Sequence, residues 1–155
     1  MTLYLVRHAN AGSRSDWDGP DADRPLSEKG WRQVEAITAH LIDAPVKRVL
    51  SSVAMRCQQT VAPMARTRGL DIEIHPALTE GATAAQTTTL LWELAQEGDD
   101  VVLSSHGDVI PAAIEALRHD GVAVGDRHGL PKGTLYVLDV GPDGTLTGAT
   151  FVDPR

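Results

Sequence analysis

Short apolar runs alternate with helical periodicities along this chain, the pattern of an α/β protein. Residues 3–6 (Leu-Tyr-Leu-Val) read as a fully buried strand that ends on Arg7 and His8. Residues 10–25 are polar and rich in turn-forming residues, so they predict a long loop. Ser27 is placed to cap a helix whose inner stripe is Trp31, Val34, Ile37 or Thr38, and Leu41. Residues 46–51 predict a second strand. Val53, Cys57, Thr60, Val61 and Met64 then mark the buried stripe of a helix ending near Gly69, with a kink or break expected around Val61 and Ala62 because Pro63 follows. Residues 70–74 read as a short strand and residues 83–97 as a helix closed by Gly98. Residues 101–105 are the strongest strand signal. Val109, Ile110, Ala113, Ile114 and Leu117 line a fourth helix. Residues 135–140 and 145–151 predict a closing hairpin around Gly141, Pro142, Asp143 and Gly144.

The 155 residues fit one domain, residues 1–155, with a sizeable core. The hydrophobic fraction is 42% and the net charge is -7, which argues against a general nucleic-acid or acidic-membrane surface. An acidic chain that gathers arginines in one cleft is suited to a small local anion. The single cysteine, Cys57, excludes an intrachain disulfide, and no Cys/His cluster has zinc spacing. No apolar run approaches the roughly 18 residues of a membrane span, and residues 1–6 are too short for a leader. These features predict a cytoplasmic protein.

Three strand ends carry the candidate chemistry. Arg7-His8 follows the first strand, Ser51-Ser52 leads to Arg56 after the second, and Ser104-Ser105 leads to His106-Gly107 after the fourth. Open α/β sheets bind ligands at the carboxyl ends of their strands. Two arginines and two histidines there suit binding and attack of a phosphoryl group. The bland reading of Arg7-His8 alone is a solvated strand end, but Arg56 and His106 in register favour a site. Gly30 and Gln33 read as a helix entry and a satisfied side chain, Thr60 and Cys57 as core, and Trp17 as a loop anchor. His40, His75, His119 and His128 read as surface histidines without a role. Gly-x-Ser-x-Gly and lysine-bearing phosphate loops are absent.

In order, Leu5-Val6-Arg7-His8-Ala9, then Pro25-Leu26-Ser27 with Gly30 and Gln33, then Ser51-Ser52 with Arg56 and Gln59-Thr60, then Ser105-His106-Gly107 resemble the histidine phosphatase superfamily. This group includes phosphoglycerate mutases and acid phosphatases. The SixA-type phosphohistidine phosphatases look like the nearest branch, and Ala9, where mutases have glycine, favours it. The resemblance implies a three-layer α/β/α sandwich, phosphoglycerate mutase-like, with a mostly parallel central sheet. It implies His8 as the nucleophile of a phosphohistidine intermediate, Arg7 and Arg56 as the phosphoryl clamp, and His106 as a donor to the transition state. Gly107 would let the backbone pass close to the phosphate. Glu80 lies where relatives often carry a general acid, a role that requires burial to raise its pKa. Arg14 would reach the pocket from the long loop, and Arg24 would meet a remote substrate anion. No metal or other cofactor is implied. The expected partner is a protein phosphohistidine or a small phosphorylated metabolite. The alternatives are a nucleotide or sugar-phosphate phosphatase, and a phosphate-binding module with little turnover. Similar domains occur fused to Nudix hydrolases, which makes a nucleotide credible.

Overall fold

The computed structural model describes residues 1–125 and 129–155, so His128 lies outside the described residues. Its elements are β1 (Thr2–Arg7), α1 (Glu28–His40), β2 (Val46–Ser51), α2 (Met55–Thr67), β3 (Ile72–Ile74), α3 (Ala84–Glu97), β4 (Asp100–Ser105), α4 (Val109–His119), β5 (Ala123–Val124), β6 (Leu135–Val140) and β7 (Leu146–Val152). They form one sheet in the order β3-β2-β4-β1-β6-β7-β5. The β3-β2-β4-β1 half is parallel. β6 and β7 run antiparallel to their predecessors, and β5 pairs parallel with β7. The mostly parallel sheet is thus observed.

Side chains alternate across each strand, and this sorts the core into two layers. Leu3, Leu5, Val101 and Leu103 pack with Leu90, Leu91 and Leu94 of α3 and with Ile110, Ile114 and Leu117 of α4. Val6, Val49 and Val102 pack on the other face with Ile37 and Leu41 near α1 and with Val61 and Met64 of α2. Helices therefore cover both faces, giving the α/β/α sandwich. No helix among the described residues is long and apolar enough to cross a membrane.

Local chemistry sets the helix ends. Ser27 Oγ accepts from Gly30 N at 3.1 Å and starts α1. Thr83 and Gln86 form a reciprocal capping box on α3, and Gly98 closes it at φ +86°. Two expectations are revised around α2, the break at Pro63 and the burial of Val53. Pro63 does not break it, since the helix runs from Met55 to Thr67. The missing N–H removes one ladder bond, and burial of Val61 and Met64 against the sheet holds the turns on either side. Val53 is exposed rather than the first buried residue of the stripe, because it lies in the turn before the helix, where Ala54 N binds Ser52 Oγ at 3.2 Å. β5 had no signal, being only two residues long. His75 also has a structural role, since its Nδ1 accepts from Ala77 N at 3.1 Å.

The loop before α1 is held by specific bonds. Asn10 N donates to Gln33 Oε1 at 2.8 Å, and Asn10 O accepts from Ser27 N at 3.0 Å. Trp17 Nε1 donates to Pro20 O at 3.0 Å, the anchoring role its position suggested. α1 lies so close to this loop that a Cβ on Gly30 would come within 2.0 Å of Asn10 O. Gly30→Ala is therefore expected to lower the urea unfolding free energy by about 1–3 kcal/mol, since backbone must shift to admit the methyl group. A midpoint equal to wild type would show that the contact yields freely.

Candidate active site

Strand register brings the chemistry together. Arg7 pairs with Ser105 and Val6 with Ser104, while Ser51 of β2 pairs with the same Ser104. The three strands end at one level, and the residues that follow them converge. Arg7, His8, Arg14, Arg24, Arg56, Glu80, His106, Gly107, Asp108 and Lys132 line a single cavity of about 380 Å³. All eight expected site residues, including Arg14, Arg24 and Glu80, are among them.

His8 is 6% exposed and His106 3%. Their rings meet edge to face, with centroids 5.5 Å apart. His8 Nδ1 lies 2.8 Å from Ala9 O. A carbonyl only accepts, so Nδ1 carries the proton and Nε2 keeps its lone pair. Burial pushes the His8 pKa down to about 3. The Ala9 carbonyl opposes this, and His106, Arg56 and Arg7 add to the fall. Burial, then Arg56, take His106 down to about 4 against the carboxylates of Glu80, Asp108 and Asp21. Both rings are neutral at pH 7. His106 Nε2 is 2.8 Å from Ser52 Oγ and 3.5 Å from Cys57 Sγ. Cys57 thus touches the site, which its stripe position did not reveal. Burial pushes its thiol up to about 12, so it remains protonated.

Arg56 is 2% exposed. Its Nη1 donates to Asp21 O at 3.0 Å, and its Nη2 lies 3.1 Å from Asp21 Oδ2 and 3.3 Å from Glu80 Oε2. Arg7 Nη1 donates to Leu130 O at 2.6 Å. The Nε atoms of both arginines are buried and have no hydrogen-bond partner among the described residues. Thr60 couples the two strand ends, accepting from Ala9 N at 3.0 Å and donating to Arg56 O at 2.7 Å. It is buried as expected, but as a link rather than as filler.

Three assignments change. A Cβ on Gly107 would lie 2.5 Å from Arg7 Cζ, so the missing side chain makes room for the Arg7 guanidinium rather than for backbone approach to a ligand alone. Arg24 does line the cavity. However, its guanidinium is bound to Ala11 O at 2.8 Å, Gly12 O at 3.2 Å and Asp21 Oδ1 at 3.1 Å, which makes it a brace of the loop more than a remote anion receptor. Glu80 lacks the burial that a general acid requires. Its side chain is 46% exposed, and it pairs with Arg14 at 3.0 Å as well as with Arg56. Asp21, Asp108 and Lys132 were missed. Asp21 and Lys132 lie outside every motif, and folded loops bring Lys132 to the cavity and Asp21 onto Arg56, whereas Asp108 reaches the cavity because it directly follows Gly107.

The buried histidines make stability depend on pH. Each has a folded-state pKa below the unfolded value of about 6.5, so the unfolded chain binds more protons as pH falls below that value. Stability is expected to drop between pH 6.5 and 4.5, above the range where most carboxylates titrate. Urea midpoints across this window should fall for wild type and fall much less for a His8→Asn/His106→Asn double variant. Parallel slopes would contradict the assignment of neutral rings.

The comparisons agree with this geometry. The family model described as "Histidine phosphatase superfamily (branch 1)" matches residues 3–89. The 8-oxo-(d)GTP phosphatase of Mycolicibacterium smegmatis is 35% identical over 156 residues, covering 99% of this chain and 48% of that protein. The chain thus spans about half the length of that curated relative. A solved structure assigned as the phosphohistidine phosphatase SixA of Agrobacterium tumefaciens is similar at TM-score 0.66 and 32% identity, covering 89% of this chain and 90% of that one. A protein histidine phosphatase SixA complexed with tungstate shares the fold at TM-score 0.73 and 20% identity, over 99% of this chain and 97% of that one. With its strand-end arginines and histidines in one cavity, and more than half its length matched by the family model, the chain belongs to the histidine phosphatase superfamily.

Proposed function

We propose that this chain is a metal-independent phosphatase that works through a phosphohistidine on His8. The observation that carries this reading is the pair of buried, unpartnered Nε–H donors of Arg7 and Arg56 beside a neutral His8. A buried donor left unmade costs about 1–3 kcal/mol, and a phosphoryl oxygen on each would remove that penalty. His8 Nε2 attacks phosphorus with its lone pair, so no base is needed at that step. As the P–N bond forms, the bond to the leaving group breaks and its electron pair departs with that group. Arg7 and Arg56 hold the equatorial oxygens, and His106 adds a donor. Water then attacks the phosphorus. The P–N electrons return to Nε2, and the water proton passes to phosphate or solvent.

For the substrate we favour a protein phosphohistidine. Arg14 and Glu80 leave the cavity rim exposed, which admits a phosphoryl group carried on a protein surface, and the similarity to SixA-type proteins supports it. A phosphoramidate nitrogen is protonated more readily than an alkoxide, so an exposed, ion-paired Glu80 is tolerable. A second reading, a small phosphorylated metabolite, is supported by the 35% identical 8-oxo-(d)GTP phosphatase.

Phosphohistidine and p-nitrophenyl phosphate hydrolysis in excess chelator should persist in wild type and disappear in His8→Ala. A wild-type enzyme silenced by chelator, or a His8→Ala enzyme that still turns over, would overturn the mechanism. Arg7→Ala and Arg56→Ala should each reduce kcat/KM by about 10²-fold or more. Glu80→Gln is expected to slow alkyl phosphate hydrolysis by under about tenfold and to leave phosphoramidate hydrolysis within about twofold. A loss near 10³-fold on both substrates would restore Glu80 as the general acid.

A further inference from the structure

Lys132 is the cavity cation whose charge no motif and no mechanistic role explains. It sits in the turn before β6, and this turn is tied directly to the nucleophile's backbone. Gly133 N donates to Arg7 O at 3.3 Å and to His8 O at 3.2 Å, while Thr134 N and Thr134 Oγ1 both donate to Pro131 O. Gly133 has φ +79°, and a Cβ there would crowd Gln33 at 3.1 Å, so the turn accepts only glycine beside Lys132. The same turn supplies Leu130 O to Arg7. Lys132 is thus carried by a fixed piece of backbone and lines the cavity with the two clamp arginines.

Its electrostatic setting differs from that of the other cations. Arg14, Arg24 and Arg56 each have Asp21 or Glu80 against them. Arg7 feels Asp108. Lys132 has no carboxylate partner among the described residues. Burial holds its ammonium below the usual lysine range, and Arg7, Arg24, Arg56 and Lys29 add to that effect. A half-buried lysine beside three guanidiniums is unfavourable unless an anion joins it. Arg7 and Arg56 already suffice for one phosphoryl group, so Lys132 is a surplus positive charge at a fixed position.

We propose that Lys132 receives a second phosphate adjacent to the transferred one, so that the site prefers compounds ending in a diphosphate over simple monophosphates. The proposal rests on the reading of Arg7, His8 and Arg56 as the phosphoryl site, and it develops the second reading of the substrate, a small phosphorylated metabolite. The chemistry is consistent. His8 Nε2 would take the terminal phosphoryl group, the bridging P–O bond would break, and the bridging oxygen would leave with its electron pair as a phosphate monoester. That leaving group is stable as an anion and needs no buried acid, which matches the exposed, ion-paired state of Glu80. Water hydrolysis of phospho-His8 then completes the cycle as above.

The test is calorimetric titration with methylenediphosphonate and methylphosphonate, which have no cleavable bridge, on wild type, Lys132→Met and Lys132→Arg. Wild type should bind the diphosphonate at least about tenfold more tightly than the monophosphonate. Lys132→Met should bring that ratio to within about twofold, and Lys132→Arg should retain most of it. A wild-type ratio near one, or a preference unchanged in Lys132→Met, would overturn the subsite. A thermal melt of each variant verifies folding. Because binding of these probes does not depend on turnover, failure of the chelator and His8→Ala experiment would count against the phospho-His8 mechanism alone. In turnover assays, a kcat/KM for a nucleoside diphosphate below that for the matching monophosphate would likewise overturn the proposed preference.

Discussion

Everything in this molecule is arranged around two guanidinium groups buried beside two imidazoles. A buried cation is unfavourable unless it is paired and hydrogen-bonded. The fold satisfies Arg56 only in part, with Asp21 and Glu80, and it satisfies Arg7 with one carbonyl and the distant charge of Asp108. Neither Nε has a partner among the described residues. The same crowding explains why both histidines are neutral, since a third positive charge in that volume would meet desolvation and repulsion together. The arginines thus create the anion affinity, while burial, with the arginines adding to it, keeps His8 neutral.

Holding that arrangement requires more than strand order. β1 lies inside the sheet between β4 and β6, so Arg7 and His8 emerge with backbone partners on both sides, Ser105 O for His8 N and Thr134 O for Arg7 N. Thr60 then links Ala9 to Arg56, and Gly107 leaves the volume that Arg7 occupies. Each link fixes one cation relative to His8. Preorganisation of this kind is what phosphoryl transfer depends on, because positioned charges need not reorganise as the bond breaks.

The parts of this design that were legible in the sequence are those with local causes. Arg7, His8, Arg56 and His106 directly follow or closely trail buried apolar runs, and the parallel direction of those strands puts them at one carboxyl edge of the sheet. Ser27, Thr83 and Gly98 act within one turn of their helices and could be read as caps. What was not legible depends on distant contacts. Pro63 is a helix breaker by its own chemistry, and only the burial of Val61 and Met64 overrides it. Glu80 had the right neighbourhood in the chain, but its arginine partners come from elsewhere, Arg14 from a loop 66 residues away and Arg56 from the start of α2. Lys132 and Asp21 have no sequence signature because loop folding alone carries Lys132 to the cavity and Asp21 onto Arg56. Cys57 was correctly read as buried, yet its contact with His106 depends on how α2 meets β4.

The charge balance also bears on what the cavity admits. The chain as a whole carries -7, so an extended polyanion gains little from approaching it. The cations are gathered inside one depression, where Asp21 and Glu80 neutralise part of them and leave Arg7 and Lys132 the least compensated. An anion small enough, or projecting far enough, to enter this depression experiences the local field. One lying across the surface experiences the acidic remainder. The proposed selection for a terminal phosphoryl group therefore rests on where the positive charge is buried, before any contact with the rest of the substrate is made.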